Sequence, residues 1–174
     1  MTAPITLAEA KENLRLEADD TSEDTLITTL IAAASAQIEA VGVVCGQREE
    51  TFSLEGFDAS IILPLAPVDI ATVAISYLDS DGVSQELTGF RVATMAGLAR
   101  IYPPSVGWPS TLAVTITATV GYADGAVPGN VKAIALLLVG HWYANREAVV
   151  IGGAGDTVPM TAQWLLDTIS VRRA

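Results

Sequence analysis

The sequence contains a single cysteine, Cys45, and a single histidine, His141, among its 174 residues. One cysteine cannot form an internal disulfide, so the fold does not require an oxidising compartment. A structural zinc site is excluded, because such a site draws four ligands mainly from cysteine and histidine side chains. A nucleophilic pair of Cys45 and His141 remains open as a hypothesis, although no cysteine-hydrolase signature surrounds either residue.

Positive charge is also scarce. The chain has 9 Lys and Arg against 20 Asp and Glu, so its formal net charge is -11. A protein that grips nucleic-acid phosphates needs a broad basic surface, and this composition argues against one. An acidic surface that repels DNA as it passes is compatible with the same numbers.

Long apolar runs are absent as well. The longest lies within residues 131–139, well short of the roughly 20 residues that cross a bilayer, and Lys132 falls in its first turn. Glu9, Lys11 and Glu12 do not match the basic and then apolar order of a signal peptide. We therefore expect that the chain does not span a membrane and that it is made in a reducing cytoplasm. Because 51% of the residues are nevertheless hydrophobic, we expect apolar surface to meet other subunits.

Acidic residues are concentrated between the first two predicted helices. Thr6 and Glu9 have the spacing of a capping box and begin a helix that ends near Arg15. Five carboxylates follow within residues 17–24, and Thr21 is predicted to cap the next helix. Such a cluster is usually a solvated helix cap, and the alternative is a paired-carboxylate catalytic site. The cluster comprises Glu17, Asp19, Asp20, Glu23 and Asp24.

The second predicted helix is amphipathic. Apolar residues recur at helical spacing from Leu26 to Val41, and Gly42 is placed to end the helix in a left-handed conformation. Its many alanines would allow another helix to approach closely. The natural partner is the helix predicted for Val127 to Val150, which is apolar enough to require cover on nearly every side.

Residues 47–122 change from helical to alternating periodicity and form a predicted β region. Asp79 to Gly82 have the composition of a tight hairpin turn. A calcium loop at the same place is disfavoured, because the third acid and the distal Glu are not in register. The predicted strands are Glu49–Leu54, Ser60–Leu63, Thr72–Leu78, Val83–Leu87, Phe90–Ala93, Ala99–Tyr102 and Leu112–Val120.

The C-terminal part of the chain begins with a glycine-rich stretch, IGGAGD, which predicts a loop rather than a phosphate cradle because no Lys-Ser/Thr pair follows. Residues 160–171 then predict a short helix or docking peptide. The element order predicts an α+β fold, with a small helical bundle from the terminal helices and a large antiparallel β insertion. The predicted parts are N-terminal helices at 1–46, the β insertion at 47–122, the central buried helix at 123–151, packed on the N-terminal helices, and a flexible loop with a C-terminal docking segment at 152–174.

Several of these stretches together carry a family resemblance. They are TLAEAKENLRLEADDTSEDTLITTLIAAASAQIEA near the N-terminus and VPGNVKAIALLLVG followed by HWYANREAVV near the C-terminus, with ILPLAPV and DSDG between them. In this order they resemble the bacteriophage head-tail connector (adaptor) family. The resemblance is closer to its longer branch, labelled a possible DNA-packaging protein and found in prophages and gene transfer agents.

The resemblance implies a structural virion protein with no catalytic residue, no metal and no cofactor. Members form a ring, typically of twelve copies, beneath the portal protein, and hand the DNA channel to a tail-side connector or stopper protein without binding DNA specifically. The implied location is the head-tail interface of a virion or phage-like particle. A head-closure or tail-completion protein is the alternative within the structural class, and a small hydrolase using Cys45, His141 or the acidic cluster is the third interpretation.

Three sets of candidate site residues follow. Trp142, Tyr143 and Arg146 predict an aromatic and arginine anchor at a subunit interface, unless they only mark where a core helix reaches the surface. In the adaptor family the C-terminal segment commonly docks on the portal. For the acidic cluster of this chain two orientations stay open, one facing the DNA channel and one facing the outside of the ring. The portal-docking candidates are Trp164, Leu165, Leu166, Ile169, Arg172 and Arg173.

Overall fold

A computed structural model of the chain describes residues 3–95, 97–145 and 160–170. The chain separates into two compact units. A helical unit combines the residues before position 47 with residues 123–145 and 160–170, and a β unit spans residues 47–122. Helices at both ends of the chain and antiparallel strands between them confirm the predicted α+β class.

The helical unit contains four helices. Helix α3 packs against α1, α2 and α4, and α1 also packs against α2. The side chains that fill its core include Ile27, Ile38, Ile134, Leu138 and Leu166, all fully buried. The helices are α1 at Leu7–Leu14, α2 at Asp24–Ala40, α3 at Gly129–Ala144 and α4 at Met160–Ile169.

The predicted start of α1 is confirmed. The Glu9 amide donates to Thr6 Oγ1 over 3.1 Å, and the Thr6 amide donates to Glu9 Oε2 over 2.7 Å. These two bonds satisfy donors that the first turn of a helix leaves without partners. The helix ends at Leu14, and the next residue, Arg15, adopts a left-handed conformation with φ 58°.

The predicted cap of α2 is wrong. The helix begins at Asp24 after Glu23, without a side-chain cap, and Thr21 instead accepts a hydrogen bond from the Asp24 amide through its backbone carbonyl. The preceding loop is held by contacts with Lys11, described below, which place the turn before the helix. The predicted end is confirmed, because Gly42 follows the helix with φ 91°.

The buried face of α2 follows the predicted stripe in the second half of the helix and lies one residue away from it in the first half. Ile27 and Ile31 are buried, whereas Leu26 and Leu30 are half-buried. Adjacent apolar pairs at both positions offer two nearly equivalent helical stripes, and packing against the other helices selects one of them. The exposed face carries most of the alanines.

Helix α3 is less enclosed than its sequence suggests. Its core face is buried, but Ala133 and Leu137 are exposed, so the prediction of cover on nearly every side is wrong. The helix begins after Pro128 and ends at Ala144. Residues 146–150 of the predicted helix, like the predicted IGGAGD loop, lie outside the described residues.

The β unit contains all seven predicted strands, with ends shifted by one or two residues. One antiparallel sheet has the order β1-β7-β3-β4 and the other the order β2-β6-β5. The strands are β1 at Arg48–Leu54, β2 at Ile61–Ile62, β3 at Ala74–Leu78, β4 at Ser84–Glu86, β5 at Arg91–Met95, β6 at Leu98–Tyr102 and β7 at Ala113–Val120.

The predicted alternation of β7 is confirmed. Val114, Ile116, Ala118 and Val120 are buried while the intervening threonines remain half-exposed. The core of the β unit is completed by aromatic side chains packed at its margin, where the rings of Phe57 and Trp108 stack at a centroid distance of 4.5 Å.

The predicted hairpin turn joins β3 to β4. Asp79 Oδ1 accepts hydrogen bonds from the amides of Asp81 and Val83, over 3.0 and 2.9 Å. These bonds hold the pKa of Asp79 below its usual range, the bond from Val83 contributing most. Gly82 takes the left-handed conformation that the turn needs, with φ 76°, so the turn interpretation is confirmed.

Candidate functional site

The acidic cluster of residues 17–24 is organised by one buried lysine. Lys11 is only 5% exposed, and its Nζ donates to the backbone carbonyls of Ala18, over 3.3 Å, and Asp20, over 2.6 Å. The same nitrogen lies 2.6 Å from Asp24 Oδ1. A buried ammonium group is tolerated only when protein acceptors replace its water. The loop therefore wraps around the Lys11 side chain, and the position of Asp24 is set by an ion pair.

The five acidic residues consequently divide into two groups. Glu23 and Asp24 are half-buried and bound within the helical unit, whereas Glu17, Asp19 and Asp20 are exposed. Asp20 Oδ1 accepts a hydrogen bond from the Ser22 amide, and bonds from Ser22 hold the pKa of Asp20 below its usual range. Glu17 and Asp19 form no ion pair within the described residues. We call Glu17, Asp19 and Asp20 the acidic loop.

The structure brings Tyr143 and Glu23 together, although the sequence assigned them to different sites. The Tyr143 hydroxyl donates to Glu23 Oε2. Trp142, the neighbouring candidate, is half-buried at the end of α3, and Arg146 lies outside the described residues. The hydroxyl of Tyr143 is thus used inside its own chain, while the interface role of this set stays a prediction.

A second polar link joins α1 to α3. Lys132 Nζ lies 2.7 Å from Glu9 Oε1, and its hydrogen bond holds the pKa of Glu9 below its usual range. Asn13 Nδ2 also donates to the Leu136 carbonyl over 3.4 Å. Each of these bonds connects positions that are 123 residues apart. They form only when the helical unit is folded, and no local sequence motif predicts them.

The portal-docking candidates on α4 face in different directions. Leu166 is fully buried in the core of the helical unit, and Leu165 and Ile169 are half-buried. Trp164 is 67% exposed, which is unusual for so large an apolar side chain. Arg172 and Arg173 lie outside the described residues. Among the described candidates, Trp164 is therefore the one with most surface for another protein.

Cys45 and His141 lack the features of a catalytic pair. Burial raises the pKa of the Cys45 thiol to about 11, with a further contribution from the charge of Glu39. A thiol attacks as its thiolate, so a raised pKa suppresses reactivity at neutral pH. The Nδ2 group of Asn145 donates to the His141 carbonyl over 2.9 Å and lies 3.4 Å from the His141 ring nitrogen Nδ1.

Within the described part of the chain, His, Cys, Asp and Glu side chains form no group suited to hold a metal ion. Among the described helices, none is both long and apolar enough to span a bilayer.

Two functional features were missed by sequence reasoning. Lys11 entered the sequence analysis only as a charge that does not fit a signal peptide. Arg15 lies closer to the five carboxylates in the sequence, so no sequence signal singles out Lys11 as their partner. Arg91 and Arg100 project from the same face of the three-stranded sheet. Their shared face depends on strand register, which the sequence alone did not assign.

Comparison with known proteins identifies related chains. The family model described as "Head completion protein" matches residues 4–169. No match is found among curated proteins. A chain from the virion of a native gene transfer agent particle shares 26% identity and a TM-score of 0.75, with 97% of this chain and 91% of that chain covered.

Two further solved structures share the fold. A chain from the neck of an empty gene transfer agent particle, computed with C6 symmetry, is 24% identical with a TM-score of 0.75, covering 97% of this chain and 92% of that chain. A chain from the neck of a native particle, computed with C12 symmetry, is 21% identical with a TM-score of 0.60, covering 97% and 91%. The resemblance to head-tail connectors is confirmed, and the chain belongs to the head completion protein family.

Proposed function

We propose that this chain is a structural adaptor at the head-tail junction of a phage or phage-like particle. Copies form a ring beneath the portal protein, continue the DNA channel and connect the capsid to a tail-side connector or stopper. The observation that carries this function is the family match over residues 4–169. A fold shared over 97% of the chain with proteins of gene transfer agent particles supports the same location.

The proposed ring has twelve copies. Related neck structures were computed with C6 and C12 symmetry, and a closed ring of identical subunits uses two different surfaces of each copy. Exposed apolar side chains on α3, such as Leu137, offer area for such contacts. Trp142, Tyr143 and Arg146 remain the proposed anchor at the subunit boundary.

The proposed portal contact is made by α4 and the residues that follow it. Trp164 is the main apolar anchor, because its exposed indole can be desolvated by a partner without disturbing the helical core. Leu165 and Ile169 flank it, and Arg172 and Arg173 add charge. Leu166 has a different role, since it holds α4 onto α3.

The proposed tail-side contact is made by one end of the four-stranded sheet. Leu78, Val83 and Leu112 are exposed there, beside the β3–β4 turn. They are neighbours because Leu78 pairs with Ser84 and its carbonyl accepts from the Leu112 amide over 2.9 Å. Such an apolar patch is typical of a protein contact.

The proposed role is structural, without catalysis and without specific DNA binding. The buried Cys45 thiol, with its pKa raised to about 11, is unsuited to act as a nucleophile at neutral pH. A net charge of -11 disfavours tight phosphate binding and suits a protein that DNA must pass.

A pair of variants tests the portal contact. Trp164→Ala should fold like the wild type. Immobilised portal protein of the same particle should retain at least about tenfold less of this variant than of the wild type, as expected when a hot-spot tryptophan is truncated. The matched control is Gln163→Ala, at an exposed neighbouring position on the same helix. Wild-type retention by Trp164→Ala would overturn the docking site, and absence of the wild-type chain from purified particles would overturn the adaptor function.

A further inference from the structure

The three-stranded sheet of the β unit has one buried and one outward face. On the buried face lie Ile61, Ala99 and Ile101. Residues that pair across antiparallel strands share a face, as do alternate residues along a strand. Since Arg91 pairs with Tyr102, and Arg100 pairs with both Ala93 and Ile62, these side chains all belong to the outward face.

This outward face holds the uncompensated positive charge of the β unit. Residues 47–122 contain three cationic side chains, Arg48, Arg91 and Arg100. Arg48 is bound to Glu50 at 2.6 Å, whereas Arg91 and Arg100 form no ion pair within the described residues. In a strongly acidic chain, two unpaired guanidinium groups on one sheet face form a local site for anionic groups.

Apolar and aromatic side chains surround the two arginines. The Arg91 guanidinium lies 5.3 Å from the centre of the Tyr102 ring, and the Tyr102 hydroxyl donates to Met95 Sδ over 3.2 Å. Met95 is 52% exposed and Ile62 is 40% exposed. Arg, Tyr and Met are enriched in protein interfaces, and stacking on Tyr102 restrains Arg91 before any partner arrives. We call Arg91, Arg100, Tyr102, Met95 and Ile62 the arginine face.

We propose that the arginine face binds the acidic loop of a second copy of this chain. Charge complementarity carries the assignment. Glu17 and Asp19 are exposed and form no ion pair within the described residues. Arg91 is exposed and Arg100 half-buried, and neither forms an ion pair within the same residues. Lys11 holds the loop backbone in place through two carbonyl bonds, so its carboxylates are presented by a rigid support. The inference rests on the proposed ring function and identifies two unlike surfaces that a head-to-tail contact requires.

Double-stranded DNA is the less suitable occupant. Two arginines beside exposed Ile62 and Met95 provide few phosphate contacts, and DNA affinity grows with the number of phosphates that are neutralised. The net charge of -11 adds general repulsion. Apolar groups at the same face gain free energy only from a partner that removes them from water, as a protein segment does.

Zero-length cross-linking tests the contact directly. The full chain with Arg91→Lys and Arg100→Lys keeps both charges and supplies amines that a carbodiimide joins to carboxylates in contact. A mixture of isotopically light and heavy protein distinguishes links between copies from links within one copy. The reaction is carried out on concentrated protein and on purified particles, and mass spectrometry maps the products.

Links between copies should join position 91 or 100 to residues 17, 19 or 20. Their yield should fall about fivefold in about 0.5 M salt, where exposed charges are screened, and similarly in a chain that also carries Glu17→Gln and Asp19→Asn. The matched control adds Glu55→Gln and Asp58→Asn, which remove two exposed acids of the β unit, and should leave the yield unchanged.

Absence of these links from both samples would overturn the proposal, as would links from positions 91 and 100 to DNA or to another protein in place of the acidic loop. Such a result is distinguishable from failure of the adaptor function. The presence of the wild-type chain in purified particles is measured separately. That measurement tests the adaptor function and does not depend on which surfaces the copies use to contact each other.

Discussion

At the scale of single residues, Lys11 stands out because no motif in the sequence marks it, yet its side chain holds the loop before α2 in place. Its ammonium group contacts two carbonyls and one carboxylate of the loop before α2. Lys132 makes the contrasting kind of contact, because both it and Glu9 keep about a third of their side-chain surface in water. Buried and exposed ion pairs differ greatly in what their disruption costs, so these two lysines form a natural comparison.

Lys11→Met should destabilise the chain by about 3 kcal/mol, because it leaves two carbonyls and the Asp24 carboxylate without their buried partner. Lys132→Met should cost less than about 1 kcal/mol, as is typical of exposed pairs. Urea unfolding of the full-length variants measures both. Equal losses in the free energy of unfolding for the two variants would show that burial does not make the Lys11 contacts more important than those of Lys132.

The thiol of Cys45 should react slowly in the folded chain. With a pKa of about 11, only about one thiol in a thousand is ionised at pH 8, so the attacking species is rare. Labelling by a disulfide-exchange reagent should be about a hundredfold slower than in denaturant. The folded-state rate should rise about tenfold per pH unit on approach to the pKa. Rapid, pH-independent labelling at neutral pH would contradict this account and reopen the cysteine as a nucleophile.

At the scale of elements, local patterns predicted the strands more accurately than the helix faces. The alternation of β7 and the Asp79 turn involve neighbours within a few residues, so the sequence displays them directly. In the first half of α2 the buried stripe is displaced by one residue, because Leu26 and Ile27 are both apolar and only the packed neighbours distinguish them. The true start of α2 depended on Lys11, which lies in another helix.

Two glycines with open space around them, one in the β3–β4 turn and one at the start of α3, should respond in opposite ways to substitution by alanine. Gly82→Ala should destabilise by about 1 kcal/mol, because φ 76° is unfavourable for a residue with a Cβ even where space is open. Gly129→Ala, at the first residue of α3 and also in open space, should stabilise by roughly 0.5 kcal/mol through reduced unfolded-state entropy. Thermal unfolding measures both. A stabilised Gly82→Ala chain would contradict the assigned turn geometry.

Helix α4 predicts a separation between folding and docking. Leu166→Ala should cost about 3 kcal/mol, because it opens a cavity where α4 meets the core. Trp164→Ala should change the free energy of unfolding by less than about 0.5 kcal/mol, since the indole is mostly in water. Chemical denaturation with hydrogen exchange in α4 measures the difference. A Leu166→Ala chain that retains wild-type protection in α4 would show that the helix is held by other contacts.

At the scale of the whole molecule, the sequence gives the net charge and the structure shows where the charged side chains lie. The chain is acidic, and both units carry exposed carboxylates. Against this background the acidic loop before α2 and the two arginines of the β2-β6-β5 sheet are local patches of opposite sign. Such a distribution favours ordered contacts between copies over adhesion to DNA, because complementary patches select one orientation while net charge repels phosphates.

The full chain should therefore fail to retard duplex DNA at about 0.15 M salt and protein concentrations up to about 10 µM, a range in which many basic proteins bind non-specifically. Lowering the salt to about 0.05 M should leave this result unchanged, because net repulsion grows as screening weakens. Gel mobility measurements with random duplexes test it. Micromolar binding that strengthens at low salt would contradict the proposed passive channel.

By itself the sequence determined the order of helices and strands, the hairpin turn, the acidic character and the family, because periodicity, turn chemistry and composition are recorded in short stretches of chain. Tertiary structure decided which face of α2 is buried, that Lys11 supports the acidic loop, that Tyr143 donates to Glu23 across 120 residues and that Arg91 and Arg100 share a face. These features depend on strand register and helix packing, which bring distant residues together through interactions that no local pattern contains.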